Sequence, residues 1–85
     1  MFYVYVLKSE KDKEFYVGFS ANLKKRIEAH GRGLVSATKN RRPLTLAYHE
    51  AYLVRKDAMG RETFLKSGSG HRFLKKQLAN YLLLT

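Results

Sequence analysis

Two segments near the start of the chain alternate between apolar and polar or aromatic positions. Residues 2–7 and 14–19 both follow the period of two that a β-strand requires, and both use residue types that favour strands. The polar segment 8–13 lies between them and is typical of a turn. The pattern therefore predicts an antiparallel hairpin over the first 20 residues.

The register of this hairpin follows from keeping its two faces distinct. Pairing centred between residues 10 and 11 places three pairs opposite each other: Val4–Val17, Tyr5–Tyr16 and Tyr3–Gly18. A slip by one residue would mix the faces, so parity supports this register or one shifted by two residues. Either register gives one face rich in valine and phenylalanine and another that carries tyrosines.

The segment after the hairpin has the periodicity of a helix. Two apolar side chains four residues apart predict a helix over residues 21–30. Ser20 is expected to cap its N-terminus and Gly31 its C-terminus. Residues 31–43 are rich in glycine and basic side chains and predict a loop.

The second half of the chain predicts one more strand and two more helices. Residues 44–52 indicate a third strand, and residues 55–66 a helix that Gly60 weakens. The Ser-Gly-Ser-Gly segment at 67–70 is expected to end that helix, and residues 71–83 form the last one.

Short connections between these elements predict a small α/β (α+β) sandwich that occupies residues 1–85 as a single domain. Helices should cover one face of the sheet. The other face, which carries Tyr3, Tyr5 and Tyr16, should then border a site or the solvent.

Composition excludes several classes of protein. The 85 residues include no cysteine, which rules out a disulfide framework, a cysteine nucleophile and a thiolate metal site. No apolar stretch approaches the roughly 20 residues of a membrane span. We therefore expect a cytoplasmic protein with no membrane partner.

The charge balance indicates a polyanionic partner. The chain has 17 Lys and Arg against 7 Asp and Glu, a net charge of +10. Basic surface gains affinity for nucleic acid by releasing counterions from the phosphate backbone. The simpler alternative is that these charges only keep a small basic protein soluble.

Five side chains could carry chemistry, although each also has an ordinary structural explanation. Tyr5 and Tyr16 are either reactive phenols or a cross-strand aromatic pair. Arg26 and His30 lie four residues apart on one side of the first helix, where Arg26 could contact phosphate and His30 could bind phosphate or orient water. Alternatively, Arg26 faces solvent and His30 is a cation that interacts with the helix dipole at the C-terminus. Glu62 could bind Mg²⁺ together with water, or pair with a lysine one turn later.

The order and spacing of these residues resemble those of the GIY-YIG nuclease family. The matching features are Tyr3-Val4-Tyr5, Tyr16-Val17-Gly18, Arg26, His30 and Glu62. The resemblance covers nearly the whole chain and is strongest to small stand-alone bacterial members. The chain departs from the family name in two ways. Tyr3 stands at the position of the first glycine in the family name, and Val4 and Val17 stand at the positions of its two isoleucines.

The resemblance implies a three-stranded antiparallel sheet flanked by helices and a metal-dependent phosphodiesterase site. By that analogy Tyr5 is the general base or water activator, and Tyr16 orients it or shares the water. Arg26 stabilises phosphate charge, His30 assists, and Glu62 binds a divalent cation, Mg²⁺ or alternatively Mn²⁺. Two further positions match supporting residues of the family, namely Gly18, which leaves room beside the site, and Asn80.

The expected function is metal-dependent endonuclease cleavage of DNA, structure-selective or non-specific, in DNA repair or processing. RNA, a protein partner and a homodimer are left open. The alternative is a nucleic-acid-binding module with the same fold and little turnover, and a third interpretation is an adaptor for an acidic protein. Candidate phosphate contacts are the basic side chains Lys24, Lys25, Arg32, Lys39, Arg41, Arg42, Arg72, Lys75 and Lys76.

Overall fold

A computed structural model describes residues 1–84 and has a three-stranded antiparallel sheet at its centre. The strands are β1 (Phe2–Ser9), β2 (Phe15–Ser20) and β3 (Leu44–Tyr52), in the order β2-β1-β3. The helices are α1 (Leu23–Gly31), α2 (Arg55–Lys66), α3 (Gly68–Gln77) and α4 (Ala79–Leu83), with a short 3₁₀ helix at Lys39–Arg41. The architecture predicted for the chain, an α+β sheet flanked by helices, is confirmed.

The hydrophobic core lies between the valine face of the sheet and helices α2 and α3. Its buried members are Val4, Val6, Val17, Ala58, Leu65 and Leu74. Helix α1 packs on the other face, where the Tyr5 side chain is completely buried. Helices therefore cover part of both faces, whereas the sequence predicted an uncovered tyrosine face.

The hairpin register is the alternative shifted by two residues. Val6 lies opposite Val17, and Tyr5 lies opposite Gly18 rather than Tyr16. The Ser9 hydroxyl accepts hydrogen bonds from the backbone N–H groups of Lys11 and Asp12, which tighten the turn. The centre of the hairpin lies one residue later than in the pairing centred between residues 10 and 11. The two faces keep their predicted composition because a shift of two preserves parity.

The predicted caps of the first helix were wrong. Asn22, not Ser20, caps α1, and its side chain accepts a hydrogen bond from the Lys25 backbone N–H. Ser20 instead bonds the backbone of Asn22 and shapes the turn that leads into the helix. Gly31 is the last helical residue, and the left-handed conformation is adopted by Gly33, with φ 75°.

The third strand and α2 have the bounds that the sequence predicted, 44–52 and 55–66. The single last helix predicted over 71–83 was wrong, because two helices, α3 and α4, occupy this region. Ser67 caps α3 through a hydrogen bond from the Gly70 N–H, so the Ser-Gly-Ser-Gly segment is a tight corner and the first turn of α3. A side chain at Gly70 would overlap the backbone of α2, which explains why a glycine is needed there.

None of the helices described over residues 1–84 is long and apolar enough to cross a membrane.

Candidate active site

Tyr5 is the centre of the candidate site. It lies in the middle strand of the sheet and is fully buried. Its hydroxyl oxygen is 2.8 Å from His30 Nε2 and accepts a hydrogen bond of 3.3 Å from Arg26 Nε. In this arrangement the phenol is enclosed between a guanidinium and an imidazole.

Gly18 makes room for this phenol. It is the direct cross-strand partner of Tyr5, and a Cβ atom built on it would overlap the Tyr5 Cζ and hydroxyl oxygen. The ring of Tyr5 therefore lies across β2 at the one position where β2 has no side chain. The family resemblance implied a glycine that leaves space beside the site, and the neighbour that uses this space is Tyr5 rather than Tyr3.

Helix α1 brings Arg26 and His30 over the sheet from the same side, as their spacing of four predicts. The His30 ring packs edge-on against both tyrosines, with centroid distances of 5.5 Å to Tyr5 and 5.3 Å to Tyr16. Hydrogen bonding to the Tyr5 hydroxyl raises the pKa of Arg26, with a smaller effect of the same sign from Tyr16. Four of the predicted site residues thus converge from β1, β2 and α1.

The protonation states of this cluster follow from burial. Desolvation raises the pKa of Tyr5, although the hydrogen bond and charge of Arg26 oppose the shift. Desolvation and the nearby Arg26 charge lower the pKa of His30. At neutral pH the site therefore contains a protonated phenol and a neutral imidazole, in hydrogen-bond contact.

One partner of this cluster was missed by sequence reasoning. The hydroxyl of Thr38, a completely buried residue, is 2.7 Å from His30 Nδ1. Thr38 precedes the 3₁₀ helix in the loop predicted over 31–43, and nothing in the local pattern connects it with His30. Its contact depends on how that loop folds back over α1.

Glu62 approaches the cluster from α2. Its carboxylate adds to the effects that raise the pKa of Tyr5, after burial, and so lies within electrostatic range of the phenol. Lys66 contacts Oε2 at 3.0 Å, the helical pair that was the structural alternative for this residue. Among the described residues, no hydrogen-bond donor occupies the other oxygen, Oε1.

The donor set at Glu62 fits a cation that keeps most of its water. The structure over residues 1–84 contains no group of three or more histidine or acidic side chains arranged to hold a metal. Mg²⁺ is commonly bound through one or two carboxylates plus water and substrate phosphate. One carboxylate with a free oxygen suits such a cation and does not suit a closed structural zinc site.

A network next to Glu62 fixes the orientation of α2. Arg61 donates to both carboxylate oxygens of Glu50 on β3, at 2.9 and 3.0 Å. Tyr48 and Tyr52 donate their hydroxyls to the same carboxylate. Although burial opposes it, these hydrogen bonds hold the pKa of Glu50 below its usual value. The network ties α2 to the sheet one residue from Glu62.

The predicted phosphate contacts divide into two groups. Lys24, Lys25, Arg32, Lys39, Lys75 and Lys76 are exposed, and Arg72 is exposed while it donates a hydrogen bond to the nearby Ser69 hydroxyl. Arg41 and Arg42 are committed to internal bonds. Arg41 pairs with Asp12 at 2.7 Å, and Arg42 donates to the carbonyl oxygens of Lys39 and Gly31.

Asn80, the other supporting residue predicted, is exposed on α4, and its side chain makes no hydrogen bond to the other residues that the structure describes. A cavity of about 660 Å³ lies apart from the cluster, in the groove between α1 and β3, where Tyr3, Ile27 and His49 contribute to its lining.

Comparison with known proteins places this chain in a family. Residues 1–76 match the family described as the GIY-YIG catalytic domain. A UPF0213 protein of Clostridium perfringens is 42% identical over 67 residues, which cover 78% of this chain and 71% of that protein. A UPF0213 protein of Staphylococcus haemolyticus is 39% identical over 74 residues, or 86% of this chain and 89% of that one.

A solved structure shares the fold. The solution NMR structure of the UPF0213 protein BH0048 from Bacillus halodurans has a TM-score of 0.56 and 30% sequence identity, and the match covers 95% of this chain and 85% of that chain. The match to the family spans most of the chain and includes every element that carries Tyr5, Tyr16, Arg26, His30 and Glu62. The chain therefore belongs to the GIY-YIG catalytic domain family, and its relatives are small UPF0213 proteins.

Proposed function

We propose that this chain is a divalent-metal-dependent endonuclease that hydrolyses phosphodiester bonds in DNA, with non-specific or structure-selective recognition. The observation that carries the proposal is the enclosure of the Tyr5 hydroxyl between His30 Nε2 and Arg26 Nε, with the Glu62 carboxylate in electrostatic range. Phosphodiester hydrolysis requires proton transfer and charge stabilisation, and a phenol with an imidazole can supply the first while a guanidinium and a carboxylate-bound cation can supply the second.

Tyr5 moves the proton of the attacking water. Its raised pKa disfavours a standing phenolate at neutral pH. The phenol oxygen instead takes a proton from water while its own proton passes to His30 Nε2, 2.8 Å away. The water oxygen bonds to phosphorus, the bond to the 3′ oxygen breaks, and the leaving alkoxide takes a proton from solvent.

Arg26 has two roles in this proposal. In the free protein its guanidinium and the His30 ring cover the Tyr5 hydroxyl. The 3.3 Å hydrogen bond is long, so a phosphate that binds two guanidinium N–H groups competes for Arg26 effectively. Movement of Arg26 onto the phosphate neutralises charge there and opens the phenol oxygen to water.

Glu62 is the proposed ligand of the divalent cation, Mg²⁺ or Mn²⁺, through its free carboxylate oxygen. When bound, the cation supplies charge stabilisation at the phosphate and at the leaving oxygen. Arg61 and Glu50 support this role because they hold α2 against β3 beside Glu62. Tyr16, which packs on His30, keeps the imidazole ring in place next to Tyr5.

The exposed lysines supply the affinity for nucleic acid. Lys24 and Lys25 extend from α1, and Lys75 and Lys76 from α3, on a chain with a net charge of +10. Their contacts would be with the phosphate backbone, which carries no sequence information by itself. Selectivity would then come from the shape of the substrate or from a protein partner.

The second candidate function is a nucleic-acid-binding module with little or no turnover. The observation that favours it is the complete burial of Tyr5, because a general base without access to water cannot act. This module would bind DNA or RNA through the same lysines and would need no metal.

A cleavage assay distinguishes the two functions. We would incubate the protein with linear duplexes, flaps, junctions and single strands of DNA and RNA, in Mg²⁺, in Mn²⁺ and in excess chelator. Metal-dependent cleavage that chelator abolishes is the expected result. Binding to these substrates without cleavage under every metal condition would support the module and refute the nuclease.

A further inference from the structure

Thr38 contacts His30 on the side of the imidazole ring opposite Tyr5, and it has no part in the proposed hydrolysis so far. Its hydroxyl is 2.7 Å from Nδ1, while Tyr5 occupies the opposite nitrogen, Nε2, at 2.8 Å. The two contacts form a buried chain, Thr38–His30–Tyr5, which continues to Arg26 at the phenol oxygen. Both ends of the imidazole are therefore engaged.

The direction of this chain follows from which groups can donate. Arg26 Nε always donates, so the Tyr5 oxygen is already an acceptor. Each tautomer leaves one buried hydroxyl proton without the imidazole as its acceptor, the Tyr5 proton if Nε2 carries the hydrogen and the Thr38 proton if Nδ1 carries it. A phenol has an ordinary pKa of about 10 and is a stronger hydrogen-bond donor than an aliphatic hydroxyl such as that of Thr38. The Tyr5 proton is therefore the one that pairs with the imidazole lone pair.

We propose that Thr38 is a positioning residue that holds neutral His30 in the tautomer with its proton on Nδ1. Nδ1–H donates to the Thr38 hydroxyl oxygen, and Nε2 is left bare and aimed at the Tyr5 hydroxyl. The inference rests on the proposed function, in which Nε2 receives the Tyr5 proton. It gives that function a specific requirement, since a proton on Nε2 would block the transfer.

The backbone around Thr38 is built to keep its hydroxyl in this place. Its N–H donates to the Val35 carbonyl, and its own carbonyl accepts from the Arg41 N–H. Arg42 closes the same loop through bonds to the carbonyl oxygens of Lys39 and Gly31. The loop thus connects the end of α1 to the imidazole that α1 carries.

Nitrogen-15 NMR of the full chain at neutral pH tests the tautomer directly, because protonated and bare ring nitrogens have well-separated shifts. The spectrum of His30→Gln identifies the His30 signals, and exposed His49 serves as an internal reference. We expect His30 to carry its proton on Nδ1. A wild-type His30 that carries it on Nε2 would overturn the proposal whatever the variants do.

Two substitutions at Thr38 then test its role. Thr38→Val keeps the shape and removes the acceptor, so we expect the population of the Nδ1–H tautomer to fall and cleavage to decrease roughly tenfold to hundredfold, the range found for residues that orient metal-bound histidines. Thr38→Ser should restore both. An unchanged tautomer and rate in a folded Thr38→Val would contradict the proposal, as would failure of the Ser variant to restore them. If the wild type cleaves nothing, the nuclease proposal fails, while the NMR experiment still decides the tautomer.

Discussion

Replacing Tyr5 by phenylalanine removes one oxygen from the centre of the site. The side chain is fully buried, and this oxygen is the hydrogen-bond partner of His30 Nε2 and of Arg26 Nε. Half-buried Arg26 can turn to solvent, but His30 Nε2 is left buried without a partner. An unpaired buried polar group costs about 1–3 kcal/mol, and for a domain of this size each kcal/mol corresponds to ~4–8 °C in Tm.

We therefore expect Tyr5→Phe to lower Tm by at least about 4 °C in a calorimetric or circular dichroism melt. Cleavage should fall by roughly 10²–10⁴, the usual contribution of a positioned proton-transfer group. Binding of DNA should be retained, because the exposed lysines are unchanged.

Tyr3→Phe is the matched control. Tyr3 lies two residues earlier on the same face of β1, and its hydroxyl makes no hydrogen bond to the residues that the structure describes. We expect its Tm and cleavage rate to stay close to those of the wild type. The reasoning is refuted if Tyr5→Phe cleaves DNA within about twofold of the wild-type rate, or if both variants lose the same stability.

Two further predictions follow from the same cluster. Gly18→Ala should cost roughly 1–3 kcal/mol in urea unfolding and displace the Tyr5 hydroxyl from His30, because its Cβ would overlap that side chain. Gly60→Ala, in open space within α2, should instead be neutral or stabilising by up to about 1 kcal/mol, and equal losses at both sites would contradict the packing argument. The cleavage rate should fall at acidic pH with a midpoint below pH 6.5, because burial and the charge of Arg26 lower the pKa of His30. Tyr5 and Tyr16 are the other titratable groups that contact the His30 ring. The pKa of His30 is lower in the folded protein than in the unfolded chain, so the stability contributed by neutral His30 is complete above the unfolded value of about 6.5 and is lost as pH falls through the folded pKa. A cleavage-rate midpoint above pH 6.5 would refute the role of His30 as the proton acceptor.

The elements with strong local patterns could be predicted from the sequence. The alternation of β1 and β2 gave the correct faces, and α2 and β3 have the bounds that their patterns predicted. The cap of α1 was assigned wrongly because Ser20 and Asn22 are both good capping residues two positions apart. The hairpin register needed knowledge of the Ser9 hydroxyl, whose bonds to the turn backbone cannot be read from alternation.

The candidate site was predictable in part for the same reason. The spacing of Arg26 and His30 placed both on one side of α1, and this proximity follows from helical geometry alone. The contact of Thr38 with His30 depends on the path of the loop after α1, which no periodicity encodes. The complete burial of Tyr5 was also unexpected, since it arises only when α1 closes over the tyrosine face of the sheet.

The most direct measurement of the central claim compares binding and cleavage on one DNA substrate for the wild type, Arg26→Ala and Glu62→Gln, with Glu28→Gln as the control. Glu28 is an exposed glutamate on α1, so its variant makes the same change of charge outside the cluster. We expect Glu62→Gln to bind within about twofold of the wild type, and Arg26→Ala, which loses one phosphate contact, to bind within roughly tenfold. Both should lose roughly 10²–10³ in single-turnover cleavage in Mg²⁺, while Glu28→Gln cleaves normally. Cleavage at the wild-type rate by either site variant would contradict the account.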